Sequence, residues 1–254
     1  MVLPDYNPNN MSLIITTASS NGIITVTDSN TTYVSNTPPQ CAQGPSSQKL
    51  FRSAKLPLTL SICGTLDIHG DDAAIWIPDF LVRSNATCVQ QLAEELLTAL
   101  RSQIVPPRQI IHIAGFESAG EDSAPIIGHI SSVDLTINGY QPKANGFQLQ
   151  WNFRAPQYDR DFYQSNGIAI FNGFGDGRDA FASLHNQMTA FRRNAWGNHA
   201  WQFNAPDLET EARALQLELE QIALFFKHSG YPAPFIGGVI QVDAYAWPQS
   251  QSST

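Results

Sequence analysis

Apolar and polar positions alternate in short runs over most of this chain, and near its end they switch to helical spacing. Ser12–Ala18 and Ile23–Thr27 read as two β-strands around the turn Ser19-Ser20-Asn21-Gly22, and Asn-Gly between apolar runs is a strong hairpin signal. A hairpin returns on itself, so Ser12 and Asp28 are predicted neighbours. The polar stretch from there to Ser47 reads as a surface loop. Lys49–Arg52 and Leu58–Cys63 form a second strand pair turned at Ala54–Pro57. Gln109–Ala114, Pro125–Ser131, Phe147–Phe153, Gly167–Asn172 and Phe235–Trp247 carry β composition, and Arg154–Ser165 reads as a long loop.

Helical spacing predicts Asp71–Arg83, interrupted by Pro78, and Cys88–Ser102. In the second, Val89, Leu92, Leu96 and Leu100 make one stripe, Thr87 with Gln90 suggests a capping box, and Pro106-Pro107 stops the run. Phe181, Leu184, Met188 and Phe191 mark another helix. The strongest follows: Leu208, Ala212, Leu215, Leu219, Ile222 and Phe226, with acids in its first turn and Lys227 and His228 in its last. Strands, two helices, strands, two helices and a last strand make an α+β class. No repeat or internal boundary is visible, so residues 12–247 read as one domain. Residues 1–11 read as a leader or extension and 248–254 as a disordered tail.

Composition narrows the function. With 254 residues, 43% of them hydrophobic, the chain can bury a large core. A net charge of −8 without a basic run argues against nucleic acid or an anionic membrane as partner. No signal peptide and no apolar run of transmembrane length is seen, and Cys41, Cys63 and Cys88 are unclustered, so the expected compartment is the cytoplasm. The six histidines are scattered, so no metal or other cofactor is expected. Gly173-x-Gly-x-Gly177 before a helix could cradle a phosphate, but no Lys-Ser/Thr follows, and a strand-to-helix turn explains it better. Trp196, Trp201 and Phe203 read as packing or subunit contacts.

The hairpin with Asp28-Ser29 at its end, then Lys49-Leu50-Phe51, then Leu60-Ser61-Ile62-Cys63-Gly64, resembles the proteasome-type N-terminal-nucleophile hydrolases. The resemblance implies a four-layer αββα sandwich: two antiparallel sheets flanked by helix pairs. It also implies a chemistry in which the first residue supplies the nucleophile and its own α-amine the base. Ser12 would take that role once residues 1–11 are removed, beside Lys49, which Asp28 would hold. Gly64 would donate its N–H to the oxyanion. Thr32 would pair with the backbone of an extended substrate and Ile62 would shape a side-chain pocket. The expected substrate is a peptide or small amide, the expected assembly a homo-oligomeric ring, and any ATPase partner is left open.

Each of these residues has a plainer reading too. Ser12 fits an ordinary strand, Asp28 a turn, Lys49 a solvated edge and Gly64 a bend. The chain also departs from the family pattern. The family places polar groups in Asp-x-x-Ser-Gly before the last strand, where this chain has Ala233-Pro-Phe-Ile236-Gly237. It places a Ser where this chain has Phe174. The alternative function is therefore a catalytically silent scaffold or assembly protein of the same family, with a small-ligand binding domain as a third reading.

Overall fold

The computed structural model describes residues 12–36, 39–43, 46–103, 107–119, 122–136, 139–154, 168–174, 183–184, 186–187, 207–228 and 236–248. In chain order these hold β1 (Ser12–Ala18), β2 (Gly22–Thr27), β3 (Thr32–Asn36), β4 (Pro39–Gln43), β5 (Leu50–Arg52), β6 (Leu58–Gly64), β7 (Asp67–Ile68), β8 (Asp71–Asp72), α1 (Ala73–Arg83), α2 (Val89–Arg101), β9 (Gln109–Ala119), β10 (Asp122–Ser131), β11 (Val133–Thr136), β12 (Gly139–Pro142), β13 (Gln148–Arg154), β14 (Ile168–Phe174), α3 (Leu208–His228) and β15 (Gln241–Ala246). One sheet has the strand order β14-β1-β2-β15 and a second β13-β10-β9-β6-β5, and β3-β4, β7-β8 and β11-β12 are two-stranded ribbons. Every pairing is antiparallel.

The period of two along β1 explains how the two larger sheets are buried. Leu13 and Ile15 point one way, into a cluster with Ile24, Val26 and Leu215, Leu219 and Ile222 of α3. Ile14 points the other way and joins Cys63 and Ile110 of the second sheet and Val133 of β11. Ala18 and Ile23 likewise join Ala114, Phe116 and Ile127. A strand buried on both faces reads as a nearly continuous apolar run, as β1 does. On the far side of the second sheet, Leu58, Leu60, Ile62, Ile111 and Ile113 meet the α2 stripe of Val89, Leu92, Leu96 and Leu100, together with Trp76, Ile77 and Leu81 of α1. Each such Leu or Ile stabilises the fold by about 1.5–3 kcal/mol when fully buried.

The sandwich flanked by helix pairs is corrected here. The described chain is predominantly β, with three helices, two larger sheets and three small ribbons. Among the described residues the second sheet carries the pair α1 and α2, while the other is covered by α3 and by Leu184 of the helical residues 183–184. The helix marked by Phe181 to Phe191 falls largely outside the described residues, with helical conformation at 183–184 and 186–187. So do residues 1–11, the tail beyond 248, Trp196, Trp201, Phe203 and Ala233.

Local expectations are refined in four places. The stretch read as a loop before Ser47 contains the β3–β4 ribbon. Thr87 is met by Gln91 rather than Gln90: Gln91 Oε1 accepts from Thr87 N at 3.0 Å and from its hydroxyl at 3.1 Å. The last strand is shorter than expected, because 236–240 runs irregularly before β15. At the β1–β2 turn, Gly22 is required by close approach, since a β-carbon there would lie 2.1 Å from the Tyr245 carbonyl oxygen on β15.

Candidate active site

The hairpin does what its sequence predicts. It sets Asp28, one residue past β2, against the first residues of β1, where Asp28 Oδ1 accepts the Leu13 N–H at 3.0 Å. The second oxygen of Asp28 lies 3.3 Å from the Lys49 ammonium, which reaches over from the edge of the other sheet. Lys49 Nζ also donates to Ser12 Oγ at 3.0 Å and to the Asn30 carbonyl. An ammonium has three protons, and all three find oxygen here. The Lys49 side chain is only 2% exposed and that of Asp28 fully buried.

Burial pushes the Asp28 carboxyl above its ordinary value, and the Lys49 charge and the Leu13 N–H pull against that push. A buried pair of this kind adds little net stability but is costly to break. Burial also pushes the Cys63 thiol upward beside Lys49 and Asp28. It is therefore a protonated packing group rather than a nucleophile.

Asp28-Ser29-Asn30 is anchored from the other side by the segment leading into β15. Ser29 N and Asn30 N both donate to the Gly237 carbonyl, at 3.2 and 3.1 Å, and Ser29 Oγ accepts the Val239 N–H at 2.8 Å. Gly238 has φ +73°, and a β-carbon there would lie 2.4 Å from Ser29 Oγ, so the approach needs glycine. Ile236, in the run where the family pattern has polar groups, is buried in the cluster with Leu13 and Leu219.

Of the residues singled out from sequence, Ser12, Asp28 and Lys49 are thus in direct contact. Gly64 ends β6 opposite Gln109, with φ +91°. Its neighbour Cys63 shares a cluster with Ile14, two residues along from Ser12. Ile62 turns its side chain into the core under α1 and α2, and touches the site through its backbone N–H, which donates to the Lys49 carbonyl at 3.0 Å. Thr32 opens β3 opposite Gln43, and its side chain lies outside the described residues. Phe174 pairs with Ser12 across β14 and β1.

The Leu13 N–H, the Asn30 carbonyl, and the Gly237, Val239 and Gln241 contributions carry no signal in the sequence. Ser29 was visible only as part of a motif, with no hint of its partner. Among the described residues no three His, Cys, Asp or Glu side chains converge to hold a metal ion, and no helix is long and apolar enough to cross a membrane.

No protein-family model matches this chain, and no curated protein does. Its fold is similar to that of a solved structure of an Anbu (Gly-1) mutant from Hyphomicrobium sp. strain MC1, with a TM-score of 0.51 and 14% sequence identity over 93% of this chain and 82% of that one. At that identity the likeness speaks for the fold alone.

Proposed function

We propose that this protein is a proteasome-like N-terminal-nucleophile hydrolase that cleaves peptide or small amide bonds with Ser12. The observation that carries the reading is the Lys49 ammonium, buried and shared between Ser12 Oγ and Asp28. A hydroxyl that accepts from an ammonium keeps its own proton for another acceptor, so attack needs a separate base. In a chain that starts at Ser12, the α-amine is that base, with an ordinary pKa near 8 that the neighbouring Lys49 charge lowers. Asp28 keeps Lys49 charged and in place, and Gly64 N–H is the proposed oxyanion donor. The fold likeness to the Anbu structure supports the fold that this reading needs and leaves family and activity open. A homo-oligomeric, cytoplasmic form belongs to this proposal as well.

The test is intact-mass analysis joined to a panel of peptide and acyl-amide substrates. Only the form beginning at Ser12 is expected to hydrolyse, and Ser12→Ala or Lys49→Ala is expected to remove at least the roughly 10²–10⁴-fold of general-base assistance. Equal rates from forms beginning at Met1 and Ser12 would overturn the mechanism. One observation favours the silent-scaffold alternative: Ile236 fills a core cluster, in the run where the family pattern keeps polar groups. No hydrolysis by a verified Ser12 form would decide for that alternative.

A further inference from the structure

Lys49 precedes β5, the edge strand of its sheet. On one side its backbone is held by β6, through the bond from Ile62 N to the Lys49 carbonyl. On the other side no strand of that sheet lies among the described residues, and an edge N–H there calls for another acceptor. Gln241 supplies it from the opposite sheet. Its Oε1 accepts two consecutive N–H groups, Lys49 N at 2.9 Å and Leu50 N at 3.0 Å. Its Nε2 donates to the Ser47 carbonyl at 2.8 Å. Three of the four hydrogen-bonding positions of this amide are spent on the segment that carries Lys49.

Gln241 is also tied to Asp28. It stands opposite Thr27 in the β15–β2 ladder, one residue before the carboxylate that pairs with Lys49. A ring therefore closes: Gln241 side chain to Lys49 backbone, Lys49 side chain to Asp28, and β2 backbone back to Gln241. The long Lys49 side chain has much rotamer freedom of its own, so an ammonium aimed at Ser12 needs a backbone origin that does not move.

We propose that Gln241 is a positioning residue that sets the Lys49 ammonium against Ser12 by clamping the backbone at the start of β5. This rests on the hydrolase reading only for its kinetic consequence. Gln241 touches neither Ser12 nor the place of a substrate in any described contact; it acts through Lys49.

The experiment compares wild type, Gln241→Leu, Gln241→Glu and a control, Leu96→Ala, which opens the core under α2 on the far side of the second sheet. In the full chain labelled with ¹⁵N-lysine, NMR follows the Lys49 ammonium, assigned by its absence in Lys49→Ala. Its three hydrogen bonds are expected to protect it from exchange in wild type. Gln241→Leu is expected to remove that protection. Gln241→Glu, which keeps the acceptor for both N–H groups but turns a carboxylate oxygen to the Ser47 carbonyl, is expected to restore it in part. Leu96→Ala is expected to lower stability and leave the signal unchanged. In the Ser12 form, Gln241→Leu is expected to lower kcat roughly 10²-fold with KM little changed, the size of a misplacement of about 1 Å. A protected ammonium in Gln241→Leu, or equal loss of protection in Leu96→Ala, would overturn the clamp. If no form hydrolyses any substrate, the hydrolase reading falls and the ammonium signal still judges the clamp.

Discussion

Two buried polar clusters bridge the same pair of sheets, and they handle burial in different ways. In the first, Ser12 and Asp28 from the β1–β2 sheet meet Lys49 from the edge of the other, and the contact is ionic. In the second, Thr25 and Thr16 of the first sheet reach His112 of the second through Oγ1–Oγ1 and Oγ1–Nε2 distances of 2.9 and 2.7 Å. There burial, with a smaller push from His129, lowers the His112 pKa to about 3, so the imidazole stays neutral. The neutral cluster solves the problem of holding two sheets together without any charge. A second bridge that keeps a full ion pair in the same interior is therefore poorly explained by cohesion alone, because apolar residues or neutral hydrogen bonds can do that work at less cost in desolvation. Its charge is better explained by what it does to the Ser12 hydroxyl.

The largest test of this contrast is to break the ion pair. Lys49→Ala leaves the Asp28 carboxyl buried without its cation, and is expected to cost about 3–5 kcal/mol in denaturant unfolding. Lys49→Met combined with Asp28→Leu is expected to recover most of that loss while leaving the protein without hydrolytic activity. If the double variant were as unstable as the single one, the pair would be structural after all.

The second test is acid. The His112 value in the fold lies below its unfolded value near 6.5, so its contribution is complete above about pH 6.5 and is lost as pH falls towards about 3. From linkage this amounts to roughly 2 kcal/mol at pH 5. Asp28, raised by burial, acts with the opposite sign. The comparison is therefore wild type against His112→Gln, which should lose less stability between pH 7 and pH 5. Parallel pH curves for the two proteins would deny His112 this role.

Smaller effects sharpen the neutral cluster. Thr25→Val removes one partner of Thr16 but leaves the bond to His112, and is expected to cost about 1 kcal/mol. Smallest of all is Arg52→Ala. It breaks the Arg52–Asp243 pair at 2.8 Å and the stacking on Tyr245, with an Arg side chain 58% exposed. An exposed pair of this sort is worth within about 1 kcal/mol. Thermal or denaturant unfolding checks both.

How much of this could be read in advance differs between the two clusters. The charged one was partly legible, because Asn21-Gly22 sets the hairpin and the hairpin alone brings Asp28 to the first residues of β1. Lys49 was legible only by resemblance, since nothing local distinguishes it from a solvated edge lysine. The neutral cluster was not legible at all. Thr16 and Thr25 look like ordinary strand residues, and His112 lies 96 positions away from Thr16. The β3–β4 ribbon was hidden by its Ser, Asn, Gln and Pro content, which imitates a loop.

By itself the sequence determined what short-range physics determines. Apolar runs of period two became strands, and the 3.6-residue stripes of α2 and α3 became helices. Asp72 and Asp207 became caps by accepting the Ala74 and Thr210 N–H groups, each at 2.7 Å. These depend on neighbours a few residues apart, whose geometry the backbone already dictates. Only the tertiary structure decided which strand face meets which sheet, how many helices cover each, and that Gln241 reaches back some 190 positions to hold Lys49 N and Leu50 N. Such contacts are chosen by the packing of two buried sheets and by the need of every buried N–H and charge for a partner. No local pattern in the chain encodes that choice.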